Sequence, residues 1–431
     1  MSNTALLTDH YELTMVEAAR RSGAADRRCV FEVFARSLPG RRRYGVVAGL
    51  GRLVEHLAEF RYGADTLEFL AATGVIDGPT CEWLATYRFT GSIDAYAEGE
   101  AYFPGSPVLV VEGTFAECVV LETLILSVLN HDSAIATAAA RMICAAGDRP
   151  CIEMGSRRTH ERAAVASARA AYIAGFATTS NLAAGKRWGV PTTGTAAHAF
   201  TLVHDDEATA FATQVEALGH ETTLLVDTYD VEEGIRAAVA AAGPELGAIR
   251  LDSGDLLPLA HRARQLLDEL GATKTRIVVT SDLDENSIAR LASAPVDGYG
   301  VGTSLVTGSG VPTAGFVYKL VARQTDAGWK SVQKRSTGKG STGGRKWAAR
   351  RHDGHNEAAE EHIYVGNPPR HRDDERSLLV PVVREGEPVH TTSLAEARQH
   401  CREALAELPP EAMKLSPGDP ALDTRYEEVA P

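Results

Sequence analysis

The sequence predicts an α/β protein: an irregular (β/α) barrel with an N-terminal α/β domain that contains antiparallel strands. Three observations carry this. Beyond Pro150, short apolar runs alternate with Ala-rich stretches, the rhythm of βα units feeding a parallel sheet. Polar residues follow several of those runs directly, as in barrels whose chemistry gathers at one face, whereas an open doubly wound sheet would carry a Gly-rich first turn and no GxGxxG occurs. Before Pro150 the pattern differs. From Phe89 to Val120 apolar residues alternate and are broken at Glu98-Gly99-Glu100 and Phe103-Pro104-Gly105, which marks an antiparallel unit.

Taken in order, Thr8–Ser22 reads as a helix, with Thr8 as its cap and Leu13, Val16 and Ala19 on one face. Cys29–Leu38 reads as a strand because Val30, Val33 and Phe34 are β-prone and Pro39-Gly40 stops it. Leu50–Phe60 and Ala64–Thr73 are helical. Leu121–Ala146 is the strongest helix, since Leu121, Leu124, Ile125, Val128 and Leu129 share one core-facing stripe. The strand series then runs Cys151–Met154, Val190–Thr195, Thr222–Val226, Ala248–Leu251, Thr275–Thr280, Gly298–Val301 and Phe316–Leu320. Ala163–Ala174 and Leu256–Leu270 are long enough to be crossover helices. The division this implies is an N-terminal domain at 1–130, a barrel at 131–351, and a segment 352–431 that packs near the first.

Composition narrows the class. With 431 residues, 44% of them hydrophobic, the chain can bury a large α/β domain and a smaller partner. A formal net charge of -13 argues against a general nucleic-acid binder. Six cysteines without CxxC spacing read as thiols in a reducing compartment. Residues Met1–Arg20 carry acids and a Tyr where a signal peptide needs an apolar core, and no apolar run approaches the roughly 18 residues of a membrane span. A soluble, cytoplasmic protein without a membrane partner is expected.

Several strand ends carry candidate chemistry. Arg250 precedes Asp252-Ser253-Gly254-Asp255: carboxylates able to hold ribose hydroxyls or Mg²⁺, a Gly that admits a ligand close to the backbone, and a guanidinium for a carboxylate or phosphate. Alone, the same residues also fit an Asp-Gly turn with a surface ion pair. Gly300-Val301-Gly302-Thr303 could present N–H groups and a hydroxyl to phosphate, and Asp227-Thr228-Tyr229-Asp230 ends another strand. His198 follows Gly194-Thr195; a single His is commonly structural, yet an oriented imidazole can accept a phosphoryl group, with Asp227 and nearby hydroxyls as candidate neighbours. Lys334–Arg351 is basic and free of acids: either a solvated loop or a clamp for pyrophosphate. No HxH, HExxH or paired Cys/His spacing suggests a protein-ligated metal, and no GxSxG elbow suggests a hydrolase.

Together these segments resemble the nicotinate phosphoribosyltransferase family, in order from about Thr8 to Arg350. The matching pieces are Thr8–Met15, Phe31-Glu32 with Arg36 and Pro39, Glu112-Gly113 with Glu122-Thr123, Gly155–Arg158, Thr179–Asn181, Gly194-Thr195 with His198, Leu225–Tyr229, Arg250 with Asp252–Asp255, and Val301–Thr303. The resemblance implies condensation of nicotinate with phosphoribosyl pyrophosphate to nicotinate mononucleotide and pyrophosphate, in NAD biosynthesis. It also implies ATP as co-substrate through transient phosphorylation of His198, Mg²⁺ not ligated directly by the protein, and a homodimer in which Tyr11 covers the neighbouring subunit's base site. His198, Asp252 and Arg250 then take the catalytic roles. Tyr11, Met154, Arg157, Thr179, Asp227, Ser253, Gly254, Ser281, Gly302 and Thr303 bind substrate. Lys334, Lys339, Lys346 and Arg350 form a pyrophosphate and ATP loop. One position departs from the pattern: Met154 stands where an aromatic usually precedes the Gly-Ser-Arg-Arg turn, so a thioether replaces one face of a ring sandwich. A sister activity on nicotinamide or quinolinate, or a non-catalytic regulator that binds phosphoribosyl metabolites, are the alternative expectations.

Overall fold

Aromatic and β-branched residues place the strand Arg28–Ala35 inside a seven-stranded sheet, where every residue but Arg28 is buried. The sheet order is Gly328–Ser331, Phe316–Thr325, Arg28–Ala35, Leu109–Thr114, Ser92–Tyr96, Leu379–Arg384 and Glu387–Pro388, and each neighbouring pair is antiparallel. The computed structural model describes residues 4–334, 341–390 and 392–429. It divides into two units, residues up to 137 with those from 311 onward, and residues 138–310.

The first unit holds the antiparallel strands expected at the N-terminus. Its core gathers Phe31, Val33, Leu109 and Val111 from the strands, Leu124 from the helix Glu122–Ala146, and Leu121 just before that helix. The first helix spans His10–Ser22 and ends at Gly23, whose φ of 73° closes the last turn. Thr8 is not its cap: Asp9 holds that position, and the Thr8 hydroxyl is taken by the Glu12 carboxylate. Phe316–Leu320 does not extend the parallel series either. It lies in Phe316–Thr325 and pairs antiparallel with Arg28–Ala35. A short apolar run has the same pattern in either kind of sheet, so only its partner decides.

A four-stranded sheet in the same unit corrects part of the expected phosphate loop. Lys346–His352 is a strand between Ala358–Gly366 and Glu375–Ser377. Lys346 is 1% exposed and its Nζ donates to Glu32 at 2.6 Å. Arg350 is 0% exposed and donates to Glu361 at 2.7 Å, with Glu100 at 3.4 Å. A guanidinium shut among carboxylates cannot reach a solvent-borne phosphate, so neither residue belongs to a clamp. Lys334 is exposed after the strand Gly328–Ser331, and Lys339 lies outside the described residues.

The stretch Phe115–Ala146 is, against expectation, long and apolar enough to cross a membrane, but 67% of its most apolar 18 residues are buried within the protein. Ser133 and Thr137 on it accept the backbone N–H groups of Ala48 and Val46, and Asp132 pairs with Arg52 at 2.8 Å. It is a core helix.

The second unit is built on a six-stranded, all-parallel sheet ordered Thr178–Thr179, Cys151–Glu153, Gly298–Val301, Arg276–Ser281, Ala248–Leu251, Thr223–Leu225. The sheet curls as a half-barrel, the irregular barrel expected, and two short strands form its edges. Val190–Thr195 contributes only the bridge Thr179↔Thr192. The crossover helices carry their own signals. Glu207–Leu218 starts at Asp206, which accepts the Thr209 N–H, and Val231–Ala242 starts at Asp230, which accepts the N–H groups of Glu232 and Glu233. Because every strand runs the same way, all their C-terminal ends share one edge of the sheet.

Candidate active site

That edge collects the polar residues. Met154 follows Cys151–Glu153, Asp227 closely follows Thr223–Leu225, and Asp252 follows Ala248–Leu251. Thr280 and Ser281 end Arg276–Ser281, and Gly302-Thr303 follows Gly298–Val301. A cleft of about 200 Å³ opens there, lined by Met154, Arg157, Arg158, Arg250, Asp252, Thr280, Ser281, Asp282, Gly300, Gly302 and Thr303.

Arg250 is held as a rigid fork. Its Nε donates to Thr280 Oγ1 at 2.9 Å, one terminal nitrogen donates to Thr195 Oγ1 at 3.0 Å, and the other to Asp252 Oδ1 at 2.9 Å. Thr280 also donates to Asp252. Burial pushes the Asp252 carboxyl up, but the bonds from Thr280 and Arg250 and the nearby charge of Arg250 outweigh it, leaving it below the usual carboxylate range. Asp252 is therefore ionised at neutral pH with its outer oxygen facing His198: Oδ2 lies 3.8 Å from Nε2.

His198 opens a short helix, His198–Leu202, and its Nδ1 lies 3.1 Å from the Thr228 hydroxyl. On the other side of the ring, Asp227 Oδ1 lies 3.9 Å from Nε2. Asp227 is itself positioned by the Asp252-Ser253-Gly254 turn, because its Oδ2 accepts the Asp252 N–H at 2.9 Å and the Ser253 hydroxyl at 2.7 Å. Gly254 has φ +84°, a conformation that a side chain would strain.

Beside Met154 the turn Gly155–Arg158 is organised from below. Glu153, fully buried, accepts the Gly155 N–H and the Thr179 hydroxyl, and Asn181 donates to Ser156 at 2.9 Å. This leaves Arg157 and Arg158 exposed. A Cβ on Gly300 would fall 2.4 Å from Thr280 and 2.8 Å from Met154 Sδ, so the absent side chain is what lets the thioether come close to the strand. Ser281 carries φ 146°, a strained value for a residue with a side chain, and it lies on the cleft.

The structure thus brings together Met154, Arg157, Arg250, Asp252, Ser281, Gly302 and Thr303 on the cleft, with His198, Asp227 and Ser253 joined to it through Asp252. Thr179 is buried beneath and acts on Glu153 rather than lining the cleft. Tyr11 belongs to the other unit, where its ring is 43% exposed. Sequence reasoning assigned no role to Arg158, Thr280, Asp282 or Glu153. Arg158 and Asp282 adjoin residues it named, and a hydroxyl beside Ser281 was the available signal for Thr280. Glu153 ends an apolar strand and carried none.

Comparison with known proteins agrees with this geometry. Residues 6–130 match the nicotinate phosphoribosyltransferase N-terminal domain, and residues 135–310 match the quinolinate phosphoribosyl transferase C-terminal domain. The nicotinate phosphoribosyltransferase pncB1 of Mycobacterium tuberculosis is 61% identical, over 97% of this chain and 94% of its own length. The Bacillus subtilis nicotinate phosphoribosyltransferase is 39% identical, over 74% of this chain and 67% of its own. The crystal structure of human nicotinic acid phosphoribosyltransferase superposes with a TM-score of 0.80 at 26% identity, covering 98% of this chain and 97% of the human one.

Proposed function

The chain belongs to the nicotinate phosphoribosyltransferase family and makes nicotinate mononucleotide from nicotinate and phosphoribosyl pyrophosphate in NAD biosynthesis, and we propose that it does so on the cleft above, with ATP spent through His198. The observation that carries the proposal is the continuous set of contacts from the cleft to the histidine: Arg250 to Asp252, and Asp252 to His198.

Loss of pyrophosphate leaves positive charge at the ribose C1, so the transition state resembles an oxocarbenium ion. The pyridine nitrogen must be held in line while the departing diphosphate is neutralised. Arg157 meets the diphosphate. Asp252 accepts from the ribose hydroxyls, which its fixed ionisation suits. Gly302 and Thr303 hold the 5′-phosphate. The Arg250 fork faces the nicotinate carboxylate, and Met154 packs on the pyridine ring. Two chains form the working unit, and the exposed ring of Tyr11 from one stacks on the base held by the other. The setting is cytoplasmic.

Mg²⁺, when bound, supplies charge neutralisation on the diphosphate. The described residues contain no group of three His, Cys, Asp or Glu side chains arranged for a metal. The Asp252 carboxylate, on the same cleft as the Arg157 guanidinium, suits a hard cation that is carried by substrate phosphates and keeps its waters, and the two residues would border it.

ATP enters through His198. A ring nitrogen lone pair forms the bond to the γ-phosphorus, the bond from phosphorus to the bridging oxygen breaks, and its electrons leave with ADP. The carboxylates of Asp227 and Asp252 hold the ring for this step. The phosphohistidine is hydrolysed after turnover and passes its phosphoryl group to neither substrate. Product formation from nicotinate and phosphoribosyl pyrophosphate, identified by mass with and without ATP, tests the reading. His198→Asn is expected to lose the whole gain that ATP gives; an undiminished gain would rule His198 out.

A further inference from the structure

Resting on the reading of Arg157 as the residue that meets the diphosphate, we propose that Glu153 is a positioning residue for the reaction: its buried carboxylate fixes the Gly155–Arg158 turn at the cleft, and the protein keeps it there at a cost in stability.

Glu153 ends the strand Cys151–Glu153 and is fully buried. Its Oε1 accepts the Gly155 N–H, and its Oε2 accepts the Thr179 hydroxyl. From Thr179 the contacts return to the same turn. The Asn181 N–H donates to Thr179 Oγ1 at 2.9 Å, and the Asn181 side-chain amide donates to Ser156 Oγ at 2.9 Å. The circuit therefore closes on Gly155 and Ser156, the two residues before Arg157. The turn is walled on another side as well. A Cβ built on Gly155 would lie 2.2 Å from Val306 and 3.0 Å from the Gly302 carbonyl oxygen, and the Arg158 N–H closes the turn on the Gly155 carbonyl at 2.8 Å. Neither Arg157 nor Arg158 lends its side chain to the circuit, and both remain exposed on the cleft.

The same carboxylate reaches toward the second guanidinium of the site. The Thr179 carbonyl accepts the Thr193 N–H at 2.9 Å, and Thr195, two residues further on, accepts from Arg250 at 3.0 Å. Glu153 thus sets the strand end that bears Arg157 in register with the segment that braces Arg250. For folding alone it is a poor choice. Its oxygens are filled by an amide and a hydroxyl, not by a cation, and a buried carboxylate without a paired charge is costly. Burial outweighs both hydrogen bonds and pushes its carboxyl above the usual range. An apolar side chain of similar length would fill the same space without that cost. It could accept neither the Gly155 N–H nor the Thr179 hydroxyl, so the freed N–H would turn to water and the turn would move with it.

Two variants of the full-length enzyme divide the roles. Glu153→Met removes both acceptors, while Glu153→Gln keeps an oxygen for the Gly155 N–H and an amide that donates to Thr179 Oγ1. Pyrophosphate affinity in the presence of Mg²⁺ is read by calorimetry, KM and kcat from turnover, and Tm from thermal unfolding. Glu153→Met is expected to weaken pyrophosphate binding and raise the KM for phosphoribosyl pyrophosphate by about 10-fold or more, with a Tm equal to or above that of the wild type. Glu153→Gln is expected to restore both constants. Thr179→Val opens the circuit without touching the carboxylate and should shift the same constants in the same direction by less. Wild-type pyrophosphate affinity in Glu153→Met would overturn the proposal, and so would a Tm that falls together with the affinity, which marks a merely structural role. Arg157→Ala separates the proposal from the reading beneath it. Unchanged pyrophosphate affinity in that variant, beside weakened affinity in Glu153→Met, would uphold the hold of Glu153 on the turn and sink the assignment of Arg157. The reverse pattern would keep Arg157 and sink the role of Glu153.

Discussion

Arg250 and Arg350 are both nearly buried arginines paired with carboxylates, yet the protein uses them in opposite ways. Arg250 sits at the end of a parallel strand, where its partners Thr195, Thr280 and Asp252 fix the guanidinium beside an open cleft. Arg350 sits in the middle of an antiparallel strand, enclosed by Glu100, Glu361 and the ring of Phe103. A cation at a strand end keeps a face for a ligand, whereas one in mid-strand is consumed by its neighbours. Residue type does not distinguish them; position along the strand does.

The comparison breaks most visibly at Arg350. Arg350→Met leaves Glu100 and Glu361 without their shared cation and is expected to cost about 3–5 kcal/mol, read from urea unfolding. The folded fraction should keep the wild-type KM for phosphoribosyl pyrophosphate, and a raised KM would return Arg350 to the phosphate site. Asp252→Asn makes the converse test. It removes a partly exposed carboxylate, so unfolding should shift little, while kcat/KM falls by about 10²–10³, or roughly 2.7–4 kcal/mol of transition-state stabilisation. Equal losses of stability and activity would mean that the two regions do the same work. The smallest effect is expected at Ser281. Its φ of 146° stores strain of about 1–3 kcal/mol, which Ser281→Gly releases against roughly 0.5–1 kcal/mol of added chain entropy in the unfolded state. The expected result is a gain of about 1 kcal/mol in stability with a higher KM at the cleft.

Much of this was legible beforehand. The helices predicted at Leu50–Phe60, Ala64–Thr73 and Leu256–Leu270 end within a residue of the observed Leu50–Glu59, Ala64–Ala72 and Leu256–Glu269, because apolar periodicity and Gly or Thr stops are local signals. The strand ends bearing Arg250, Asp252 and Gly302-Thr303 were legible for the same reason. Glu153 was not, because a carboxylate at the end of an apolar strand reads the same whether it is exposed or buried under Thr179.

The sequence alone determined most helices, the alternation of strands and helices beyond Pro150, the family, and which polar residues follow which strands, since each of these is written within a few neighbouring residues. Only the tertiary structure decided where each charge is satisfied. Lys346 meets Glu32 across 314 residues of chain, and Arg350 meets Glu100 across 250. Coulomb attraction and desolvation depend on distance through space and on burial, and neither quantity exists until the strands have paired.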